Sequence, residues 1–166
     1  MNTAAPHNLA IETRMLDFDT RLWIAIDALK PRAPDIACDA RALDLLHENG
    51  SDPRVLELGI ALLDADWHKS HDEIGLCVQW LRAAELVDAL YRASLKTYAY
   101  EYDGGNAIRR RFTWALADVG NQAAFDARVR LRGATDRQIA LFAFKRLRGW
   151  LREPPRKRFA YSPRLD

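Results

Sequence analysis

The chain has 166 residues, a length suited to one domain, and its 49% hydrophobic and 29% charged content excludes global disorder. No apolar run approaches the roughly 20 residues of a membrane span. Met1 to Thr13 lacks the apolar core of a secretory leader, so a reducing cytoplasm is the expected compartment.

Cys38 and Cys77 are too few for a disulfide framework, and their spacing fits no zinc ribbon. The net charge of +2 conceals a polarity. Residues 1–83 hold 8 Lys and Arg against 14 Asp and Glu, a net of −6, and residues 84–166 hold 17 against 9, a net of +8. A chain divided in this way can present one charged end to a partner of opposite sign, or can simply carry solvated helix faces.

Helical periodicity dominates. Phe18, Leu22, Ile26 and Leu29 form an apolar stripe ended by Pro31 and Pro34, although Leu22, Ile24 and Ile26 also alternate as a strand would. Ala40 to His47 reads as a short helix closed by Asn49-Gly50. Ser51-Asp52-Pro53 is a start signal, with a capping side chain before Pro, and the helix behind it buries Val55, Leu58 and Leu62. The next helix is expected from His71 to Leu81 on Ile74, Val78 and Leu81, with Asp72 as its cap. The one after it rests on Leu86, Leu90 and Ala93.

An irregular aromatic stretch, Lys96 to Asn106, is broken at Gly104-Gly105. A helix over 107–119 buries Ile108, Phe112, Ala115, Leu116 and Val119 and is closed by Gly120. Gln122 to Arg132 is expected to rest on Phe125 and Val129. Thr135-Asp136 caps a last helix on Ile139, Phe142, Ala143, Leu147 and Trp150. The domain is placed at 1–152, with a basic, Pro-containing tail at 153–166.

The helices repeat. A shift of 31 carries Ile108, Phe112, Leu116 and Val119 onto Ile139, Ala143, Leu147 and Trp150. A shift of 34 carries Ile74, Val78 and Leu81 onto Ile108, Phe112 and Ala115. The carrying residues are Phe112-Thr113-Trp114-Ala115-Leu116-Ala117-Asp118-Val119-Gly120, Ala123-Ala124, Thr135-Asp136 and Ile139. With them stands the run Trp67-His68-Lys69-Ser70-His71-Asp72-Glu73-Ile74. From about Leu43 to Leu147 this pattern resembles small bacterial HEAT-repeat proteins. The resemblance implies an all-α solenoid of stacked antiparallel helix pairs. That group includes binding scaffolds, bilin-lyase-like proteins and immunity proteins that neutralise a toxin. Fold alone assigns none of these roles.

Candidate partner-binding residues follow. Tyr98, Tyr100 and Tyr102 alternate along one loop with Asp103 behind them, a composition that suits either binding anchors or a wedge between repeats. Arg109 and Arg110 come next, with Arg109 beside the core and Arg110 and Arg111 expected toward solvent. Trp67, His68 and His71 mark a corner. Two His at i, i+3 fall short of a zinc set, so backbone hydrogen bonding is the expected role of the rings.

The sequence holds no Gly-rich phosphate loop, no Gly-x-Ser-x-Gly elbow and no Cys-His arrangement with an orienting group. Neither catalysis nor a cofactor is expected. The expected function is binding of a protein partner, as an adaptor or as an immunity protein facing a toxin. The alternative is nucleic-acid binding in the manner of HEAT-like DNA glycosylases. It requires Arg109, Arg128, Arg130 and Arg132 to line one basic channel with Trp67 or Trp114 beside a carboxylate.

Overall fold

The computed structural model describes residues 16–29 and 36–150, so the expected tail at 153–166 lies outside the described residues. These residues form eight α-helices and one 3₁₀ turn, without a strand among them. They are α1 (Phe18–Leu29), α2 (Ile36–Asn49), α3 (Pro53–Asp64), α4 (His71–Leu81), the turn Ala84–Leu86, α5 (Val87–Leu95), α6 (Asn106–Val119), α7 (Gln122–Arg132) and α8 (Arg137–Trp150).

The helix ends have local causes. Asp52 accepts from the Arg54 N–H and Pro53 occupies the first turn of α3, where a missing N–H leaves no bond unmade. Asn121 caps α7 through the Ala124 N–H at 2.8 Å, and Asp136 caps α8 through the N–H groups of Gln138 and Ile139. Gly120 ends α6 at φ 72°, a left-handed position that suits a residue without Cβ.

The helices lie in two rows. α2, α4, α6 and α8 pack one on the next, and α3, α5 and α7 do the same beside them, with α1 against α2. The core runs between the rows through Leu46, Leu63, Val78, Leu90, Phe112 and Leu131, all fully buried. Positions related by the 31- and 34-residue shifts share burial. Ile74, Ile108 and Ile139 are each at most 1% exposed, and Val78, Phe112 and Ala143 are fully buried. The α4–α6 approach is close because Gly75 has no side chain: a Cβ there would lie 2.9 Å from both Arg111 Cδ and Phe112 Cε1.

Two expected faces and one helix start need correction. In α1, Leu22 and Ala25 are buried while Ile26 is 41% exposed. Eight residues of α-helix advance about 80° beyond two full turns, which carries Ile26 off the face begun at Phe18. In α7 the buried residues are Ala124, Ala127, Arg128 and Leu131, and Val129 is 46% exposed. Ala124 and Ala127 let α7 settle close to its neighbours, with Arg128 and Leu131 completing the buried face. α2 starts at Ile36, ahead of the expected Ala40.

Candidate functional site

The corner between α3 and α4 is a closed hydrogen-bond network. His68 Nε2 lies 2.9 Å from the Leu62 carbonyl and its Nδ1 accepts from the Ser70 N–H at 3.2 Å. An accepting Nδ1 requires the proton on Nε2, which then donates to Leu62. His71 repeats the pattern. Nε2 donates to the Ala65 carbonyl at 3.0 Å, and Nδ1 accepts from the Tyr100 hydroxyl at 2.9 Å. The two rings stack at 4.1 Å, and Trp67 sits edge-on to His68 at 5.1 Å. No ring-nitrogen lone pair is left over for a metal. Burial, reinforced by His68 and Lys96, pushes the His71 pKa down to about 4.

The tyrosine loop turns inward. Tyr98 is 3% exposed, donates to the Ala93 carbonyl at 3.0 Å and packs on His71 and Phe112. Its phenol is shifted upward by burial, and that of Tyr100 is pushed up to about 12 for the same reason. Of the three, Tyr102 alone stands fully in solvent. On an extended segment the even spacing would set the three tyrosines on one common side. Successive turns, Tyr98 carbonyl to Glu101 N–H and Glu101 carbonyl to Gly104 N–H, cancel that alternation. Asp103 is a cap: its carboxylate accepts from the N–H groups of Gly105, Asn106 and Ala107. Lys96 donates to the carbonyls of Leu63 and Asp64 at the end of α3, a favourable place for a cation.

Gly105 is the loop's hinge against the core. Its φ is +82°, and a Cβ there would stand 2.4 Å from Tyr98 Cβ. Gly105→Ala is therefore expected to destabilise the fold by about 2 kcal/mol, from left-handed strain plus displacement of Tyr98. A thermal melt within error of wild type would show that the loop does not hold Tyr98 in place.

The arginines separate by role. Arg109 is buried and donates to the Ser94 carbonyl, Asn106 Oδ1 and Asp136 Oδ2, tying α5 and α6 to the start of α8. The Arg109 bond holds the Asp136 carboxyl below its ordinary range. Arg111 does not splay into solvent. It grips Asp72 through two bonds of 2.6 and 2.9 Å, which takes Asp72 away from the expected capping role in α4. Arg128 is fully buried, with Nε donating to the Ala124 carbonyl. The basic channel expected of a glycosylase-like protein is therefore not assembled: two of its four arginines are inside, and Arg130 instead covers Tyr91 at 4.2 Å. Arg110 remains exposed. It lies 5.3 Å over Trp114, whose ring also carries Arg146 at 4.4 Å.

Burial thus removes Tyr98, His68, His71 and Arg109 from any contact surface, leaves Tyr100 and Trp67 partly covered, and keeps Tyr102, Asp103 and Arg110 outside. One surface lies in the basic half of the chain, and its apolar members escaped the sequence reading. Along α8, Arg137, Leu141, Phe144, Lys145 and Arg148 are all exposed. Their spacing of i, i+4, i+7, i+8 and i+11 defines one stripe, on the side opposite Ile139 and Ala143. Arg132 reaches over Phe144 at 5.7 Å, and the Arg110–Trp114–Arg146 stack joins α6 to α8. The signal was present in the sequence as a second helical period, hidden by the stronger core stripe. Comparison with protein families, with curated proteins and with solved structures finds no match to the chain.

Proposed function

We propose that the chain is a HEAT-like α-solenoid that binds an acidic protein partner through the outer stripe of α8, as an adaptor or as an immunity protein covering a toxin. The two helix rows and the shared burial at shifts of 31 and 34 support the solenoid reading. One observation carries the binding reading: Leu141 and Phe144, 41% and 43% exposed, sit among Arg132, Arg137, Lys145 and Arg148. An apolar centre with a charged rim is the anatomy of a protein interface. A stripe of this kind offers an acidic partner both anchors and orientation. Nucleic acid is the weaker reading, because Arg109 and Arg128 are spent inside the fold.

A photo-crosslinking residue at position 144, in cells, with position 57 on α3 as the control, tests this. An acidic protein captured at 144 and absent at 57 is the expected product. With that partner purified, Phe144→Ala should weaken binding by about 2 kcal/mol while the melting temperature stays put, as for an interface anchor. Capture of nucleic acid, or affinity unchanged in the variant, would overturn the assignment.

A further inference from the structure

The acidic half of the chain holds a pocket remote from α8. It opens where the end of α2, the start of α3 and the end of α4 meet, and its volume is about 320 Å³, the low end for small-ligand sites. Leu56 and Leu81 give it an apolar lining, and the half-exposed indole of Trp80 forms a wall. His47 braces that indole edge-on, with ring centres 5.6 Å apart. The shape is set by Gly50, where a Cβ would fall 1.9 Å from Leu81 Cδ2.

The charged residues in the lining of this pocket have one sign. Glu48 and Glu85 belong to its lining. Arg21 at 2.8 Å answers Glu48, while Glu85 has no ion-pair partner among the described residues. Cys77, also in the lining, feels two further carboxylates: its thiol is shifted upward by burial and then by Asp44 and Glu73. An anion would meet this field unfavourably. A cation would gain from Glu85 and from the negative face of the indole, and an attached hydrocarbon stem would cover Leu56 and Leu81.

We propose that this pocket binds an organic cation: a guanidinium or ammonium group on a short apolar stem, seated against Trp80 and Glu85. The same chemistry is offered by a free small amine and by an Arg or Lys side chain of a bound peptide. The site is independent of the α8 surface and stands whether or not that surface binds a protein.

The test is an NMR titration of the full chain with butylguanidinium, using the indole N–H signal assigned through Trp80→Phe. Butylurea, of the same shape without the charge, and butyrate, of opposite charge, are the controls. Saturable movement of the Trp80 signal by butylguanidinium alone is expected, with affinity, followed in the variant by the backbone amide signals of Gly50 and Leu81, falling at least about tenfold in Trp80→Ala, in which the cation–π contact is gone. Glu85→Gln should weaken it as well, and added salt should do the same. Both side chains are exposed, so melting temperatures of the variants should match wild type. Equal response to butylurea, preference for butyrate, or no saturable shift would each overturn the proposal. An arginine-centred tetrapeptide added in parallel identifies the source. Tighter binding than butylguanidinium supports a partner's basic side chain, and weaker binding supports a free cation.

Discussion

Replacing Phe112 with Ala is expected to cost about 3–5 kcal/mol of stability, the range for truncating a fully buried aromatic. The ring is 0% exposed, packs on Tyr98 with centroids 6.1 Å apart, and faces the bare backbone of Gly75. Because α4 and α6 already meet through a glycine, they have little room to close on the vacated space. A cavity should persist, which places the cost toward the upper part of the range. Urea unfolding with an unchanged slope measures it. A loss under about 1 kcal/mol would mean that Phe112 is not a core residue of the α4–α6 contact. The repeat register adds a companion result. Ala143 occupies the equivalent position on α8 and is equally buried, so Ala143→Phe should overpack and cost about 1–3 kcal/mol.

These positions also show what the sequence makes legible. Helix periods and caps are local, so the bounds of α4 and the capping of α3 and α8 could be read directly from Ser51-Asp52-Pro53, Thr135-Asp136 and the Ile74–Val78 spacing. The site residues depend on groups distant in the chain. Arg109 is inside because Asp136 and the Ser94 carbonyl, 27 and 15 residues away, receive its guanidinium. Arg111 is drawn over α4 by Asp72, 39 residues away, and is left partly exposed. Helical position beside Ile108 placed Arg109 near the core, but nothing local distinguishes Arg111 from the exposed Arg110 before it. The tyrosines could not be sorted between anchor and wedge for a different reason: a period of two implies a common face only on extended backbone. The turns between Tyr98 and Gly104 send Tyr98 inward and Tyr102 out. At α8 both faces were periodic, and Leu141 and Phe144 on the outer one were hidden by the stronger core stripe.

The His71 network predicts a loss of stability on acidification that begins well above the carboxylate range. In the fold the ring is 1% exposed, its Nε2 proton is held by the Ala65 carbonyl and its Nδ1 lone pair is taken by the Tyr100 hydroxyl. Protonation would place a charge in a buried site, which is the largest penalty, and beside His68 and Lys96, which add to it. The folded pKa therefore falls to about 4 from an ordinary 6.5. The sign follows from linkage. Above pH 6.5 both states hold the ring neutral and the stabilisation is complete. As pH falls from 6.5 toward 4 the unfolded chain takes up a proton that the fold refuses, so stability declines, and below about 4 this contribution levels off. The total is about 3 kcal/mol, because each tenfold difference in proton affinity between the two states is worth roughly 1.4 kcal/mol. Denaturant unfolding between pH 7 and 4.5 should show this slope in wild type and a shallower one in His71→Gln, where one titrating group is gone. NMR of the His71 ring in the folded chain should find it still neutral at pH 5. A ring that titrates near 6.5, or equal pH slopes in the two proteins, would show that the Ala65–His71–Tyr100 network does not hold the imidazole neutral.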